Sequence, residues 1–346
     1  MRLYQRLKRQ ILSQVKLVRI GLGVAAVAAF IVAWWLIIGP LASQGLHLWR
    51  AVYTGLPSAD GRTNFLILGR EGTDTIRGGG LLTDTLILVS INPQAHDTVL
   101  LSIPRDIWVP SLKAKINSAY YYGEQKKPGM GGLILAKAAV GEVIGQPIHY
   151  AVVIDFAGFE KIIDLIGGVD IQVDRGFVDH KFPIAGKEND LCGGDPLYAC
   201  RYETIEFKAG LQHLDGVSAL KFVRSRQAEG EEGSDFARSR RQEKTLLALR
   251  SKLLSKPVLT NLSLLKQLFD QTNRMVVTDV TPDLYPALAR LAWQVYKTPP
   301  RTATLAEPDQ LIHPPVSTIY GSQWVLLAKD SLPADVKNLL AIPGQQ

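Results

Sequence analysis

Five arginines and a glutamine lie within nineteen residues in the second half of the chain. A loop rich in Gly and Glu divides them into two groups; the set is Arg224, Arg226, Arg238, Arg240, Arg241 and Gln242. Ser234 and Asp235 are both suitable helix N-caps, because their side-chain oxygens can accept hydrogen bonds from free backbone N–H groups. No Gly or Pro follows before Pro257. The sequence therefore predicts a helix whose first turns carry arginines.

Helical spacing places Arg238, Arg241 and Gln242 on one stripe, which continues to Leu249. A helix face that becomes apolar further along is expected to point inward from its start. Arg238 and Arg241 are therefore predicted to line a cleft, whereas Arg240, on the opposite side, is predicted to face solvent.

Guanidinium groups bind phosphate and carboxylate oxygens through two N–H donors at once. Arg224 and Arg226 lie two positions apart, which puts both on one face of an extended segment. Together with the inward arginines of the helix, they are expected to form a site for a multiply charged anion such as a diphosphate. The alternative is a solvated helix face paired with nearby acidic residues, namely Glu229, Glu231, Glu232 and Asp235.

A second polar cluster occupies the loop from Gly69 to Asp84, between two apolar runs. Polar residues at the ends of buried strands are typical of functional sites, and glycines allow the backbone to approach a ligand. Asp84, together with Glu71 or Asp74, is a candidate ligand set for Mg²⁺, which takes carboxylate and phosphate oxygens. The alternative is an ordinary polar turn.

A third cluster ends the next apolar run, where Arg105 follows Ser102 and Pro104. Lys115 and Asn117 come shortly afterwards and are further candidates for substrate binding. The chain has no Gly-rich loop ending in Gly-Lys-Ser/Thr, no Gly-x-Ser-x-Gly segment and no His pair at zinc spacing. These absences argue against P-loop, serine-hydrolase and zinc chemistry.

The elements that must position these residues are short apolar runs separated by helical patterns. Strands are predicted at 65–68, 86–91, 99–103, 149–154 and 169–173, and helices at 133–144, 156–166, 215–223, 259–272 and 282–296. This alternation predicts an α/β fold (an α+β three-layer sandwich) with a central mixed sheet flanked by helices. A closing strand is expected at 323–328, and residues 331–346 are expected to form a C-terminal tail, frayed from Ala334.

The net charge of +7 is concentrated at the N-terminus, because residues 1–19 hold six basic and no acidic residues. The remainder is close to neutral, so the charge gives no support for nucleic-acid binding. Residues 20–39 are uncharged and long enough to span about 30 Å of bilayer as a helix. The positive-inside rule predicts a single-pass anchor with residues 1–19 in the cytoplasm, a linker at 40–62 and an extracytoplasmic domain at 63–330. A cleaved signal peptide is the alternative, although its apolar region is usually shorter.

The chain has two cysteines, Cys192 and Cys200, which flank a Gly-Asp-Pro turn. Outside the cytoplasm thiols tend to pair, and no His lies close enough in sequence to complete a metal site. The sequence therefore favours a disulfide between them.

Between Asn64 and Leu254 the chain resembles the LytR–CpsA–Psr family of cell-envelope proteins. The resemblance is carried, in order, by the segments LLTDTLILVSIN, LLSIPRD, KINSAYYYG, DFAGFEKIIDLIGGVDI, LDGVSALKFVRSR and DFARSRRQ. It implies a phosphotransferase that moves an anionic glycopolymer from a polyprenyl-diphosphate carrier to peptidoglycan or another envelope acceptor. It also implies a Mg²⁺ ligand at Asp84 and diphosphate contacts at Arg105, Arg224, Arg226, Arg238 and Gln242, with Arg241 as a further contact.

The chain departs from the family pattern at the upstream half of the metal site. The family usually has Arg two places before the metal Asp, where this chain has Leu82. Arg77 is the candidate to replace it, and the upstream family Asp falls on Glu71, with Asp74 as a second choice. Two other functions stay open: a non-catalytic receptor for anionic glycolipid, and a polyprenyl-diphosphate phosphatase or pyrophosphatase.

Overall fold

A computed structural model describes residues 55–70 and 81–342. The predicted cytoplasmic tail, the membrane anchor and most of the linker lie outside these residues, as do Glu71, Asp74 and Arg77. Within the described ranges, no helix combines the length and the hydropathy needed to cross a bilayer. Residues 56–282 and 291–342 belong to one compact unit, which holds all the site residues discussed below.

Strands account for much of this unit, and most of the longer ones join a single sheet. In chain order they are β1 (Thr63–Arg70), β2 (Thr83–Asn92), β3 (Asp97–Ser102), β4 (Trp108–Val109), β5 (Ala114–Lys115), β6 (Tyr150–Asp155), β7 (Val169–Val173), β8 (Phe177–Pro183), β9 (Tyr202–Phe207), β10 (Gly210–Leu214), β11 (Val276–Thr278), β12 (Arg301–Thr304), β13 (Leu311–Ile312) and β14 (Leu327–Ala328). The main sheet has the order β11–β6–β1–β2–β3–β12. It is mixed, because β1 is antiparallel to β2 and parallel to β6, and β3 is antiparallel to β2 and parallel to β12.

Helices connect several of these strands along the chain. They are α1 (Ala119–Lys126), α2 (Gly131–Ile144), α3 (Phe156–Leu165), α4 (Gly216–Arg224), α5 (Asp235–Leu253), α6 (Lys256–Leu259), α7 (Leu262–Met275), α8 (Tyr285–Val295) and α9 (Leu332–Leu340). The predicted mixed α/β fold with a central mixed sheet is confirmed, as are the first three predicted strands and the helix at 133–144.

The apolar residues divide into two buried clusters. The first joins alternate residues of β1 and β2, such as Leu66, Leu68, Leu86 and Leu88, to α2 and α9. Alternate side chains of a strand point to one face, so this cluster covers one face of the main sheet. The second cluster contains residues of the four strands β7, β8, β9 and β10 and of helices α3, α4 and α7. It supports the segment that carries the arginines.

The polar segments meet at one end of the main sheet, where β1, β3 and β6 end and β2 begins. Arg70, at the end of β1, is in register with Thr83 at the start of β2 and with Asp155 at the end of β6. Ser102, at the end of β3, lies opposite Ile87 of β2. The residues just before β2, after β3 and after β6 are therefore brought together by strand pairing alone.

Two predictions for the C-terminal part were wrong. Of residues 323–328 only β14 is a strand, and it pairs with β13 outside the main sheet; the edge position beside β3 belongs to β12. The sequence of β12 is Arg-Thr-Ala-Thr, which has no apolar run to reveal it. The tail from Ala334 is also not frayed through Leu340, since α9 buries Leu332, Val336 and Leu340 at four-residue spacing.

Candidate active site

Two neighbouring cavities lie at the end of the main sheet where β3 and β6 end and β2 begins. The larger has a volume of about 510 Å³, and its cations are Lys181, Arg201, Arg224, Arg226 and Arg238. The smaller has a volume of about 220 Å³ and is lined by several carboxylates and serines. Asp84, Arg238 and Gln242 line both cavities, so they form the boundary between them.

The arginine segment is built as a helix end, a turn and a helix start. Arg224 is the last residue of α4, and its guanidinium carbon lies 4.5 Å from the ring centroid of Phe156 and 5.7 Å from that of Phe182. These cation–π contacts orient the guanidinium toward the larger cavity. After the turn, the Ser234 side chain accepts a 3.2 Å hydrogen bond from the N–H of Ala237, so Ser234 is the N-cap of α5.

Asp179, on β8, is a site residue that the sequence reasoning missed. Its side chain is buried, with 1% exposed, yet it lines the larger cavity. Its Oδ2 accepts hydrogen bonds from the Ser225 hydroxyl at 2.7 Å and from the backbone N–H groups of Arg226 at 3.3 Å and Gln227 at 3.2 Å. The carboxylate therefore fixes the turn that carries Arg226. The signal available in the sequence was a carboxylate two positions after Phe177, on the same buried face of the strand.

Arg238 lies on α5 where the stripe predicted it, buried between the two cavities. Burial lowers its pKa to about 10, against the opposing effect of Asp235, whose Oδ1 lies 3.1 Å from Arg238 NH2. Its Nε is buried and has no hydrogen-bond partner among the described residues. A desolvated cation with a free donor is suited to bind an anion, because anion binding restores the lost solvation.

Arg241 does not line either cavity, so the prediction that it shares the cleft with Arg238 was wrong. Its guanidinium donates to the backbone oxygens of Phe222 at 3.0 Å, Ser225 at 2.6 Å and Glu232 at 3.0 Å, and to the Glu232 carboxylate at 2.9 Å. Burial lowers its pKa despite that carboxylate. Arg241 does point inward, as its place on the stripe predicted, but its guanidinium contacts backbone carbonyls and not a cavity. Arg241 therefore ties α5 to the turn after α4.

Asp84 and Arg105 form the link between the second and third polar clusters. Arg105 NH1 lies 2.5 Å from Asp84 Oδ1, and Arg105 Nε lies 3.4 Å from Asp106 Oδ2. Burial alone would lower the pKa of Arg105, but the Asp84 and Asp106 carboxylates outweigh it and raise that pKa. Arg105 is therefore held as a fixed cation in the smaller cavity.

Lys115 and Asn117 were predicted to bind substrate, and neither lines one of these two cavities. Lys115 Nζ donates to Asp106 Oδ1 at 2.7 Å. Asn117 is buried, and its backbone oxygen accepts a 3.1 Å hydrogen bond from the Thr83 hydroxyl. Both residues thus support the strand ends that carry Asp84 and Arg105 without reaching the cavities.

Asp84 is the one predicted metal ligand within the described residues. Its carboxylate lies at the boundary of the two cavities with 35% of the side chain exposed. A partly exposed carboxylate oxygen beside an anion cavity fits the donor preference of Mg²⁺. Elsewhere in the described ranges, Asp190, Cys192 and Cys200 come within metal-ligand distance of one another, but both sulfurs are held in a disulfide.

The predicted disulfide between Cys192 and Cys200 is present, with an S–S distance of 2.00 Å. It closes a loop between β8 and β9, and residues on either side of it line the larger cavity, including Ile184, Glu188 and Tyr202. Strands β8 and β9 and the disulfide-closed loop between them thus form one wall of the cavity.

Comparison with known proteins places this arrangement in a known family. Residues 48–301 match the LytR_cpsA_psr family. A curated relative, the polyisoprenyl-teichoic acid–peptidoglycan teichoic acid transferase TagU of Oceanobacillus iheyensis, is 30% identical over 223 residues, which cover 64% of this chain and 59% of the relative. The chain spans about half to three fifths of the length of the curated relatives it matches.

Solved structures show the same fold. The crystal structure of Bacillus subtilis TagV superposes with a TM-score of 0.56 at 24% identity, over 82% of this chain and 97% of TagV. The structure of TagT bound to LI-WTA gives a TM-score of 0.53 at 20% identity, over 84% of this chain and 93% of TagT. At these identities the likeness establishes the fold.

Proposed function

This chain belongs to the LytR–CpsA–Psr family, and from that premise we propose that it is a phosphotransferase. It moves an anionic glycopolymer from a polyprenyl-diphosphate carrier to a hydroxyl of peptidoglycan or another envelope glycan. The names of the curated relatives support the reaction class. The observation that carries the proposal is the meeting of Arg224, Arg226 and Arg238 in one cavity, with Asp84 at its boundary.

In this proposal the diphosphate of the donor binds in the larger cavity. Arg224, Arg226 and Arg238 neutralise its charge, and the Gln242 amide adds a donor at the boundary. The prenyl chain and the glycopolymer leave the cavity in different directions, along walls that include Phe156, Val223 and Ile184. Anion binding at Arg238 is favoured because the guanidinium is desolvated beforehand.

The chemical step exchanges one P–O bond for another. The acceptor oxygen bonds to the phosphorus that carries the glycopolymer, and the bond from that phosphorus to the bridging oxygen breaks. Negative charge then accumulates on the departing prenyl phosphate, where the arginines stabilise it. Asp84 would hold Mg²⁺, with Glu71 or Asp74 as the proposed second ligand and Arg77 as the proposed replacement for the family arginine. The ion would supply Lewis-acid stabilisation of the phosphate oxygens when bound.

The hydroxyl proton of the acceptor requires a base, and two carboxylates are candidates. Asp106 is buried and held by Arg105 and Lys115. Asp235 lines the smaller cavity with 47% of its side chain exposed, beside Arg238. We assign the base to Asp235, because it is the more accessible of the two and lies next to the diphosphate-binding arginine.

The proposal also places the protein at the cell membrane. Residues 20–39 form a single-pass anchor with a cytoplasmic N-terminus, and the domain from residue 63 acts on the outer side. The basic, acid-free residues 1–19 support this orientation. A reporter fused after Gln346 is expected to be active only if it works outside the cytoplasm.

The decisive experiment is turnover of a labelled polyprenyl-diphosphate glycan by the full-length chain, with and without an acceptor glycan. We expect a Mg²⁺-dependent phosphodiester product only with the acceptor. Release of the head group to water at equal rates in both cases would instead identify a phosphatase. Binding of the donor without either product would identify a receptor. Arg238→Ala is expected to lower turnover about ten- to a hundredfold, the cost of one lost charge-assisted contact, and Arg240→Ala serves as the matched control.

A further inference from the structure

The smaller cavity differs in chemistry from the cationic one beside it. Besides the shared boundary residues, it is lined by Asp106, Asp235 and Glu307, by Ser234 and Ser239, and by one further cation, Arg105, which is paired with Asp84 and Asp106. Carboxylates and hydroxyls both accept hydrogen bonds from neutral hydroxyl groups. The carboxylates Asp84, Asp106, Asp235 and Glu307 also outnumber the cations Arg105 and Arg238 in this cavity, which disfavours a second phosphate. This cavity therefore suits a neutral polar ligand that approaches the diphosphate from the opposite side.

One wall of the smaller cavity is the ring of Trp324, which is 44% exposed. The ring stacks on His313, with centroids 4.8 Å apart and planes inclined by 28°. His313 Nδ1 in turn lies 2.9 Å from the backbone oxygen of Val325. The indole is thus held at a fixed angle by its own hairpin, so little side-chain entropy is lost when a ligand stacks on it.

The hairpin formed by β13 and β14, which contains Trp324 in its loop, is also hydrogen-bonded to the segment that holds Asp106. The Leu326 N–H donates to the Asp106 backbone oxygen at 3.0 Å, and the Trp108 N–H donates to the Leu326 oxygen at 2.8 Å. Val325 and Leu326 are buried on either side of this connection. Trp324 therefore keeps a constant position relative to Asp106 and Arg105.

We propose that Trp324 is the stacking platform for one sugar ring of the acceptor glycan, an uncharged hexose or N-acetylhexosamine. This inference rests on the proposed function and names where its second substrate binds. A sugar ring has one face rich in C–H groups, which packs on an indole, while its hydroxyls reach the surrounding oxygens. A volume of about 220 Å³ is below the roughly 300–1,000 Å³ of sites that enclose whole ligands, so a single ring is expected to enter.

This placement makes the acceptor approach consistent with the chemical step. A ring stacked on Trp324 lies in the cavity that Asp235 also lines, and both Asp84 and Arg238 border the donor cavity. The acceptor hydroxyl thus faces the carboxylate assigned as base and the diphosphate beyond it. Trp324 and His313 lie after residue 301, where the match to the family ends, so this platform belongs to a segment outside the matched region.

The test is calorimetric titration of the full-length chain in detergent with an uncharged β-linked N-acetylhexosamine tetrasaccharide. Trp324→Ala is expected to weaken binding about tenfold or more, the equivalent of one lost aromatic contact. Trp324→Phe is expected to restore most of the affinity, because a ring remains. Trp293→Ala is the control, since Trp293 is exposed and lines neither cavity.

Kinetics separate this inference from the proposed function. Trp324→Ala is expected to raise the KM for the acceptor and to leave the KM for the donor unchanged, with an unaltered melting temperature. Equal glycan affinity for the wild type and Trp324→Ala, or no glycan binding by the wild type, would overturn the platform. Trp324-dependent glycan binding without any transfer product would keep the platform and overturn the proposed reaction.

Discussion

The carboxylate of Asp179 accepts a 2.7 Å hydrogen bond from the hydroxyl of Ser225, and both side chains are buried. Ser225 directly precedes Arg226, whose backbone N–H donates to the same carboxylate oxygen. The position of Arg226, an exposed residue that lines the larger cavity, is thus set by a buried pair behind it. Strand β8, through Asp179, thereby fixes the turn that carries Arg226.

Asp179→Ala is expected to lower the free energy of unfolding by about 2–4 kcal/mol, because it leaves the Ser225 hydroxyl and two backbone N–H groups without their buried acceptor. Turnover is expected to fall further than stability explains, with a raised KM for the donor, since Arg226 loses its fixed position. Asp179→Asn keeps one acceptor oxygen and should recover part of both losses. Chemical denaturation and donor kinetics check these outcomes, with the exposed Asp170→Asn as control. A wild-type KM in a folded Asp179→Ala protein would contradict the positioning role.

Three arginines in the first turns of α5, Arg238, Arg240 and Arg241, are expected to respond differently to substitution. Arg238→Ala should lower turnover about ten- to a hundredfold, the cost of one lost charge-assisted contact. Arg240→Ala should have almost no effect, because exposed ion pairs contribute about 0–1 kcal/mol. Arg241→Ala should instead lower the free energy of unfolding by about 3 kcal/mol or more, because it leaves buried carbonyls without their donor and removes the nearer of the two cations paired with Glu232. Parallel melting curves and turnover assays check this, and equal small effects at all three positions would show a merely charged surface.

The Arg238 side chain is also expected to lower the stability of the fold although transfer requires it. Its lowered pKa shows that the folded protein disfavours the buried charge. Arg238→Met, which keeps the volume, should therefore melt at or above the wild-type temperature while losing transfer. Inorganic pyrophosphate should raise the melting temperature of the wild type by clearly more than that of Arg238→Met, whose remaining arginines bind it more weakly. A pyrophosphate shift of equal size in both proteins would place the anion elsewhere.

The acid sensitivity of the domain is expected to depend on Asp97. Hydrogen bonds from Arg301 lower the pKa of Asp97 below its ordinary value of 3.8, against burial, which raises it, and Arg62 adds to the lowering. A carboxyl group with a lowered folded-state pKa stabilises the fold above its unfolded-state pKa, and this contribution is lost as pH falls through the folded-state value. The free energy of unfolding of the wild type should therefore fall more steeply below about pH 4 than that of Asp97→Asn. Urea titrations at a series of pH values measure this, and parallel curves would contradict it.

Loss of the disulfide is expected to affect both the fold and the donor cavity. Replacing Cys192 and Cys200 with Ser should lower the free energy of unfolding by about 2–3 kcal/mol on the chain-entropy account of a short loop. Because the adjoining residues line the larger cavity, the KM for the donor should rise more than the KM for the acceptor. Denaturation and two-substrate kinetics check this. An unchanged donor KM would show that the wall holds its position without the disulfide.

The sequence was informative wherever local pattern decides structure. The apolar runs of β1 to β3, the cap at Ser234 and the turn between the cysteines are each defined within about ten residues. Arg238 was predicted to point inward for the same reason. The environment of an inward residue is a different matter, because it depends on which distant segment packs there. Arg241 meets the carbonyls of Phe222 and Ser225, whose position is set by the docking of α4 on α5.

The residues that sequence reasoning missed owe their importance to long-range packing. Asp179 acts on a turn more than forty positions away, so no local spacing reveals it. β12 has a polar sequence and becomes a strand only because the edge of β3 is open beside it. α9 was legible in principle, through the regular spacing of Leu332, Val336 and Leu340, but its amphipathic face is short.

The pairing of β12 with β3 imposes an order in time on the folding of the domain. Arg301 and Asp97, which join these strands, are 204 positions apart. A nascent chain emerges N-terminus first, so the edge of β3 stays unpaired until most of the domain has been made. The first buried cluster likewise lacks Leu305, Leu326 and the whole of α9 until then. An open, apolar sheet edge of this kind invites pairing with other chains, and the newly made protein must be shielded from its neighbours until β12 pairs with β3.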